Sequence, residues 1–128
     1  MKPDWKSFYE ACDKDKPIES VISIWNDQIS LGAMDQHEIW SGRCESVIEK
    51  TIQWLYKNLL CFNPNNLKMR PIGNTQPDDE LKEMWLYDAK ILQGKTIDYV
   101  FDDRPKVIRM WRRRGIFVFN CCQHDQDF

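Results

Sequence analysis

An apolar run that stops at two adjacent carboxylates most limits what this chain can fold into. The stretch from Ile97 through Tyr99, Val100 and Phe101 reads as a buried strand over 96–101. Asp102 and Asp103 close it, Pro105 opens a helix and Gly115 ends that helix. In open α/β sheets, ligands bind beyond the carboxyl ends of the strands, so paired acids at such an end are placed to hold a divalent cation or a proton. Asp103 taken alone reads equally well as a helix N-cap.

The rest of the composition narrows the class. The 128 residues suffice for one core and one domain, spanning 1–128. Charged residues make up 30% and the formal net charge is -2, so nucleic acid would have to be held by a local patch rather than by the whole chain's field. Nothing resembles a signal peptide, and no apolar run approaches the roughly 18 residues of a membrane span, so a cytoplasmic protein with no membrane partner is expected. Five cysteines without paired C-x-x-C spacing are expected to be reduced thiols. Cys121, Cys122 and His124 offer three metal donors where a structural zinc site usually needs four.

Apolar spacing predicts a helix from Asp4 bearing Trp5, Phe8, Tyr9 and Cys12, then a second from Pro17 with Ile18, Val21, Ile22, Trp25 and Ile29 inside and Gly32 as its stop. Residues 36–40 read as a weak strand, followed by a small polar turn, Ser41-Gly42-Arg43. A helix over 45–60 is expected to bury Val47, Ile48, Thr51, Ile52 and Leu55. A short strand, 67–70, follows a polar linker, and Asp78-Asp79-Glu80 opens a helix with inner stripe Leu81, Met84, Trp85 and Ala89. The last strand is 116–119. Strands alternating with helices imply parallel β-α units in a layered α/β sheet.

Three motifs in order carry a resemblance: Ser-Gly-Arg at 41–43, Met-Arg-Pro at 69–71 with Pro-Asp-Asp-Glu-Leu-Lys at 77–82, and Phe-Asp-Asp-Arg-Pro-Lys-Val at 101–107 with Met-Trp-Arg at 110–112. Together they resemble the phosphatase domain of phage-type polynucleotide kinase, in the haloacid dehalogenase (HAD) superfamily. The resemblance runs from about Lys2 to Phe128. It implies a three-layer, Rossmann-like parallel sheet. It further implies that Ser41 orients the transferring phosphoryl group, that Arg43 and Arg70 contact substrate phosphate, that Lys82 neutralises phosphoryl group and nucleophile, and that Asp102 and Asp103 hold Mg²⁺. Those roles suit phosphoryl transfer, which is mainly positioning and charge neutralisation. Plainer readings stand beside them: Ser41 as a helix cap, Arg43 and Arg70 as solvated surface, Lys82 as the partner of a nearby acid.

The departures carry as much weight. The family's nucleophile is the first aspartate of an Asp-x-Asp-Gly-Thr motif on the central strand, and no such motif occurs in these 128 residues. Asp13-Lys14-Asp15 precedes a helix and lacks the Gly-Thr turn. Asn74 stands where the family usually has aspartate, and the segment 120–127 lacks the family's small-residue turn. The expectation is therefore a sheet without its usual central first strand. It would be closed directly between the strand ending at Trp40 and the one ending at Phe101, filled by a strand from another chain, or completed in a longer natural protein.

Two functions follow. One is a phosphatase-derived binding module, inactive alone, with a weak Mg²⁺ site and a protein, nucleotide or nucleic-acid phosphate as partner; the phage-like resemblance implies a host cytoplasm and an interaction protein. The alternative is an active Mg²⁺-dependent phosphatase on nucleotide or nucleic-acid 3'-phosphates whose nucleophile strand comes from an upstream segment or another chain. Exposed strand edges would also allow a homo-oligomer. A weaker reading makes Lys106, Arg109, Arg112 and Arg113 a nucleic-acid contact.

Overall fold

The computed structural model describes residues 19–32 and 37–122. The expected helix from Asp4, Ile18 and His124 lie outside them.

Helix α1 (Glu19–Ser30) buries Val21 and Trp25, and Gly32 ends the turn after it at φ +64°, a conformation that costs a side-chain-bearing residue. Strand β1 (Ile39–Cys44) pairs in parallel with β2 (Leu67–Arg70). Between them, a short 3₁₀ turn at Glu45–Val47 leads into α2 (Ile48–Asn58). Helix α3 (Asp78–Tyr87) runs on into a π-helical turn, Asp88–Leu92. Strand β3 (Val100–Asp102) and strand β4 (Val118–Asn120) form a second parallel pair, joined by α4 (Pro105–Arg113).

Strand alternation sends neighbouring residues to opposite faces, and two cores result. Ile39 and Phe101 join Val21 and Trp25 of α1 and Trp54 and Leu55 of α2. Trp40, Val100 and Val118 join Leu86 of α3 and Val107, Met110 and Trp111 of α4. Both strand pairs therefore lie between the same two helical layers, as the layered α/β reading expects.

Three expectations are corrected. Ser41-Gly42-Arg43 is not a turn but part of β1, whose register with β2 breaks between Ser41 and Cys44, so two extra residues bow out of the ladder. Direct closure does not occur: β1 and β3 feed the same cores, yet the ladders are β1–β2 and β3–β4 with none between them among the described residues. Finally, Met84 and Ile48 are exposed, at 50% and 39%. The true inner stripe of α3 is Asp78, Leu81, Lys82, Trp85 and Leu86, spaced i, i+3, i+4, i+7 and i+8, and Ala89 continues it in the π-helical turn. Two of its members are charged.

Candidate functional site

Because the stripe that anchors α3 includes Asp78 and Lys82, packing its leucines also drives an ion pair into the core. Lys82 has no exposed surface; its Nζ lies 3.3 Å from Asp78 Oδ2 and 3.9 Å from Asp102 Oδ2. Burial, which disfavours the charged form, pushes its pKa down to about 8, opposed by Asp102 and Asp103 and assisted by Arg104.

The acids stand where the strand-helix junction puts them. Asp102 is the last residue of β3 and fully buried. Its Oδ1 accepts from the Arg104 amide at 3.1 Å, its Oδ2 from Trp111 Nε1 at 3.0 Å, and its carbonyl from the Cys121 amide at 2.8 Å. Arg104 occupies the N-cap position of α4 with no side-chain cap, so Asp103 is not a helix cap. It lies buried beside Asp102.

On the other strand pair, Ser41 is buried and its Oγ accepts from the Arg43 amide at 3.0 Å, which curls the chain where the register breaks. It caps no helix. Arg43 is half-buried, and its Nη1 is buried without a hydrogen-bond partner among the described residues. Arg70 turns inward: Nε donates to the Gly42 carbonyl at 2.8 Å, Nη1 to Asn74 Oδ1 at 2.7 Å and the Gln76 carbonyl at 2.6 Å, and Nη2 to Asp78 Oδ1 at 3.4 Å. Gly42 is required at this crossing, since a Cβ there would collide with Asp78 Oδ1.

Asp78 is the hub that sequence reasoning missed. One carboxylate, on a side chain 1% exposed, meets Arg70 through Oδ1, and through Oδ2 meets Lys82 and Arg104, whose Nη1 is 3.6 Å away. In sequence its acidity reads as a complement to the helix dipole, whereas its place four residues before Lys82 on the apolar stripe is the signal of burial. Arg104 was missed for want of any local pattern. The structure thus brings Lys82, Asp102 and Asp103 together, with Ser41 and Arg43 on β1 and Arg70 tied to Asp78.

Elsewhere the expectations thin out. Lys106 is drawn to Asp79 at 3.5 Å, leaving Arg109, Arg112 and Arg113 exposed. The described cysteines Cys44, Cys61, Cys121 and Cys122 are free thiols. No cluster of three His, Cys, Asp or Glu able to hold a metal occurs among the described residues. Burial, then the nearby Asp103 and Asp102, pushes the Cys121 thiol up to about 11. No helix among the described residues is long and apolar enough to cross a membrane.

Two adjacent buried carboxylates are a hard-oxygen donor pair of the kind that holds magnesium when waters and a phosphate oxygen complete the shell. Asp102 and Asp103 fit that ion. Each oxygen of Asp102 accepts one hydrogen bond and keeps a second lone pair.

Short parallel strands between helical layers, with acids and a lysine gathered at their carboxyl ends, define a HAD-like α/β domain. The chain belongs, more narrowly, to the family described as the polynucleotide kinase PNKP phosphatase domain, whose model matches residues 5–128. A putative bifunctional polynucleotide kinase/RNA ligase of Autographa californica nuclear polyhedrosis virus is 36% identical over 89 residues, covering 69% of this chain and 12% of that protein. Two solved structures share the fold. One, of the Pnkp1/Rnl/Hen1 RNA repair complex, aligns with a TM-score of 0.71 at 23% identity over 89% of this chain and 35% of the other. The second, of a Pnkp1/Rnl/Hen1 complex, gives 0.76 at 20% identity over 98% and 46%. This chain therefore spans less than half the length of each of these relatives.

Proposed function

We propose that this chain carries the phosphate- and magnesium-binding portion of a polynucleotide 3'-phosphatase site, and that by itself it binds 3'-phosphoryl ends without hydrolysing them. The observation that carries this reading is Lys82: a wholly buried ammonium between Asp78 and Asp102 is an expensive way to fill a core and an effective way to neutralise a phosphoryl group in a low-dielectric site. Arg70, Lys82 and Arg104 balance Asp78, Asp102 and Asp103, so an arriving phosphate needs further positive charge. Mg²⁺ on Asp102 and Asp103 would supply it, polarising a phosphoryl oxygen as a Lewis acid. Ser41 and Arg43, carried on β1, would orient the same group.

Hydrolysis through an aspartyl-phosphate needs a carboxylate nucleophile, and the 128 residues contain no Asp-x-Asp-Gly-Thr. A second reading starts from the unjoined ladders: β1 and β3 share two cores without pairing, and an extended segment paired to their edges, either from upstream or from another chain, would bring the aspartates. By analogy with the RNA repair complexes of its structural relatives, that partner would be a nucleic-acid repair protein in the cytoplasm.

The test is an assay of a 3'-phosphorylated oligonucleotide with Mg²⁺, read for both binding and phosphate release. Binding without release, weakened by Arg43→Ala, is expected. Turnover by the chain alone, abolished by Asp102→Asn, would overturn the non-hydrolysing reading, whereas turnover only on adding an Asp-x-Asp-Gly-Thr strand peptide would establish the second.

A further inference from the structure

We infer that Arg70 is a positioning residue, a latch that fixes the loop 71–77 and Asp78 against Gly42, and that it does not touch substrate phosphate. A guanidinium has five N–H donors. Four of Arg70's are already directed at protein acceptors: Gly42 O, Asn74 Oδ1, Gln76 O and Asp78 Oδ1. A phosphate could claim it only by breaking bonds to a loop and to a carboxylate that is 1% exposed. Arg43 is the contrasting case, with its buried Nη1 making no hydrogen bond among the described residues.

The loop is built to receive this side chain. The Asn74 amide donates to the Pro71 carbonyl at 3.0 Å, closing a turn around Gly73, and Asn74 Oδ1 accepts from both Arg70 Nη1 and the Gln76 amide. Asn74 Nδ2 donates in turn to Gln76 Oε1 at 3.0 Å. An aspartate at position 74 could accept but not donate, so it would lose that last bond and place a second negative charge on Arg70. With the neutral amide, Asp78 at the start of α3 is the one carboxylate paired to Arg70, and it stays oriented toward Lys82 and Arg104. Pro77 then hands the chain to α3, where the Leu81 amide bonds the Pro77 carbonyl at 3.0 Å. The latch therefore holds one wall of the proposed phosphate site, and it rests on that reading only in naming what the wall faces.

The experiment uses the 128-residue chain and two independent readouts. In amide exchange, Arg70→Gln, Arg70→Lys and Asn74→Ala should each speed exchange at residue 74 and Leu81 by about tenfold or more, the expectation for losing a charge-assisted bond. The Cys121 amide, bonded to Asp102, should be unchanged. Arg70→Lys keeps the charge but not the fork, so restored protection in that variant would overturn the latch, as would unaltered loop exchange in all three. In NMR titration with inorganic phosphate, the Arg70 Nε–H signal should stay in place while Arg43 signals move; a phosphate-dependent Arg70 shift overturns the inference. If phosphate moves no signal, the phosphate-binding reading fails, and the exchange data still decide the latch.

Discussion

The two strand pairs solve the same problem in opposite ways. Around β3 and β4, register is regular and the acid is held by near neighbours: the amide two residues on and an indole nine residues on fix Asp102. Around β1 and β2, register breaks and the polar groups are tied across distance, with Arg70 reaching back 28 residues to Gly42 and forward to Asp78. The first arrangement is a local device that the strand-turn-helix sequence creates almost unaided. The second exists only once the fold has brought β1, the loop 71–77 and α3 together. Perturbation should therefore spread further in the β1–β2 half.

Glycine gives the largest contrast. Gly42→Ala drives a Cβ into Asp78 Oδ1 and should cost about 3 kcal/mol or more, by overpacking and by disturbing a buried ion pair. Gly115→Ala, at φ +72° with open space around it, should cost about 1 to 2 kcal/mol. Urea denaturation of the two variants measures the difference, and equal losses would break the comparison.

Next comes pH. Lys82 binds its proton less tightly folded, at about 8, than unfolded, at 10.5, so between those values the unfolded chain carries more protons and stability rises with pH. The contribution is a penalty below pH 8 that is relieved by about 3 kcal/mol as pH climbs through the window. Lys82→Met should flatten that stretch of the stability-pH curve; an unchanged slope would show that Lys82 is not the group responsible.

Trp111→Phe keeps the packing of α4 but removes the indole donor from Asp102 Oδ2, and should cost about 1 to 3 kcal/mol while leaving exchange in the loop 71–77 untouched. The smallest effect belongs to Arg114→Ala. Its contact with Glu83 is short at 2.6 Å, but the Arg114 side chain is more than half exposed, so thermal or urea melts should shift by less than about 1 kcal/mol.

The same division explains what the sequence disclosed. Asp102, Asp103, Pro105 and Gly115 were legible because a strand end, an acid pair, a helix opener and a stop sit within twenty residues. So was strand 67–70, which the structure reproduces as β2. The extension of β1 through Arg43 was not legible, since Ser-Gly-Arg has turn composition and only the pairing with β2 makes it strand. Lys82 came from the resemblance, not from its helix, because an apolar stripe drawn through Met84 leaves it outside. Asp78 differs from an ordinary helix-start acid only in standing four residues before Lys82 on the buried stripe, Arg104 has no local signature at all, and Arg70's partners can be named only once the fold is known. The absence of a β1–β3 ladder is likewise a property of tertiary arrangement, invisible to periodicity.

The alternation in the strands has a consequence for cooperativity. Ile39 and Phe101 serve one core while their immediate neighbours Trp40 and Val100 serve the other. Sliding either strand by a single residue would exchange both assignments at once, putting a tryptophan where an isoleucine fits and a valine where a phenylalanine fits. Neither layer of helices can repack alone. Two short ladders without a shared hydrogen bond are in this way bound into one unfolding unit by their side chains, with the tolerance for error of a much wider sheet withheld from both.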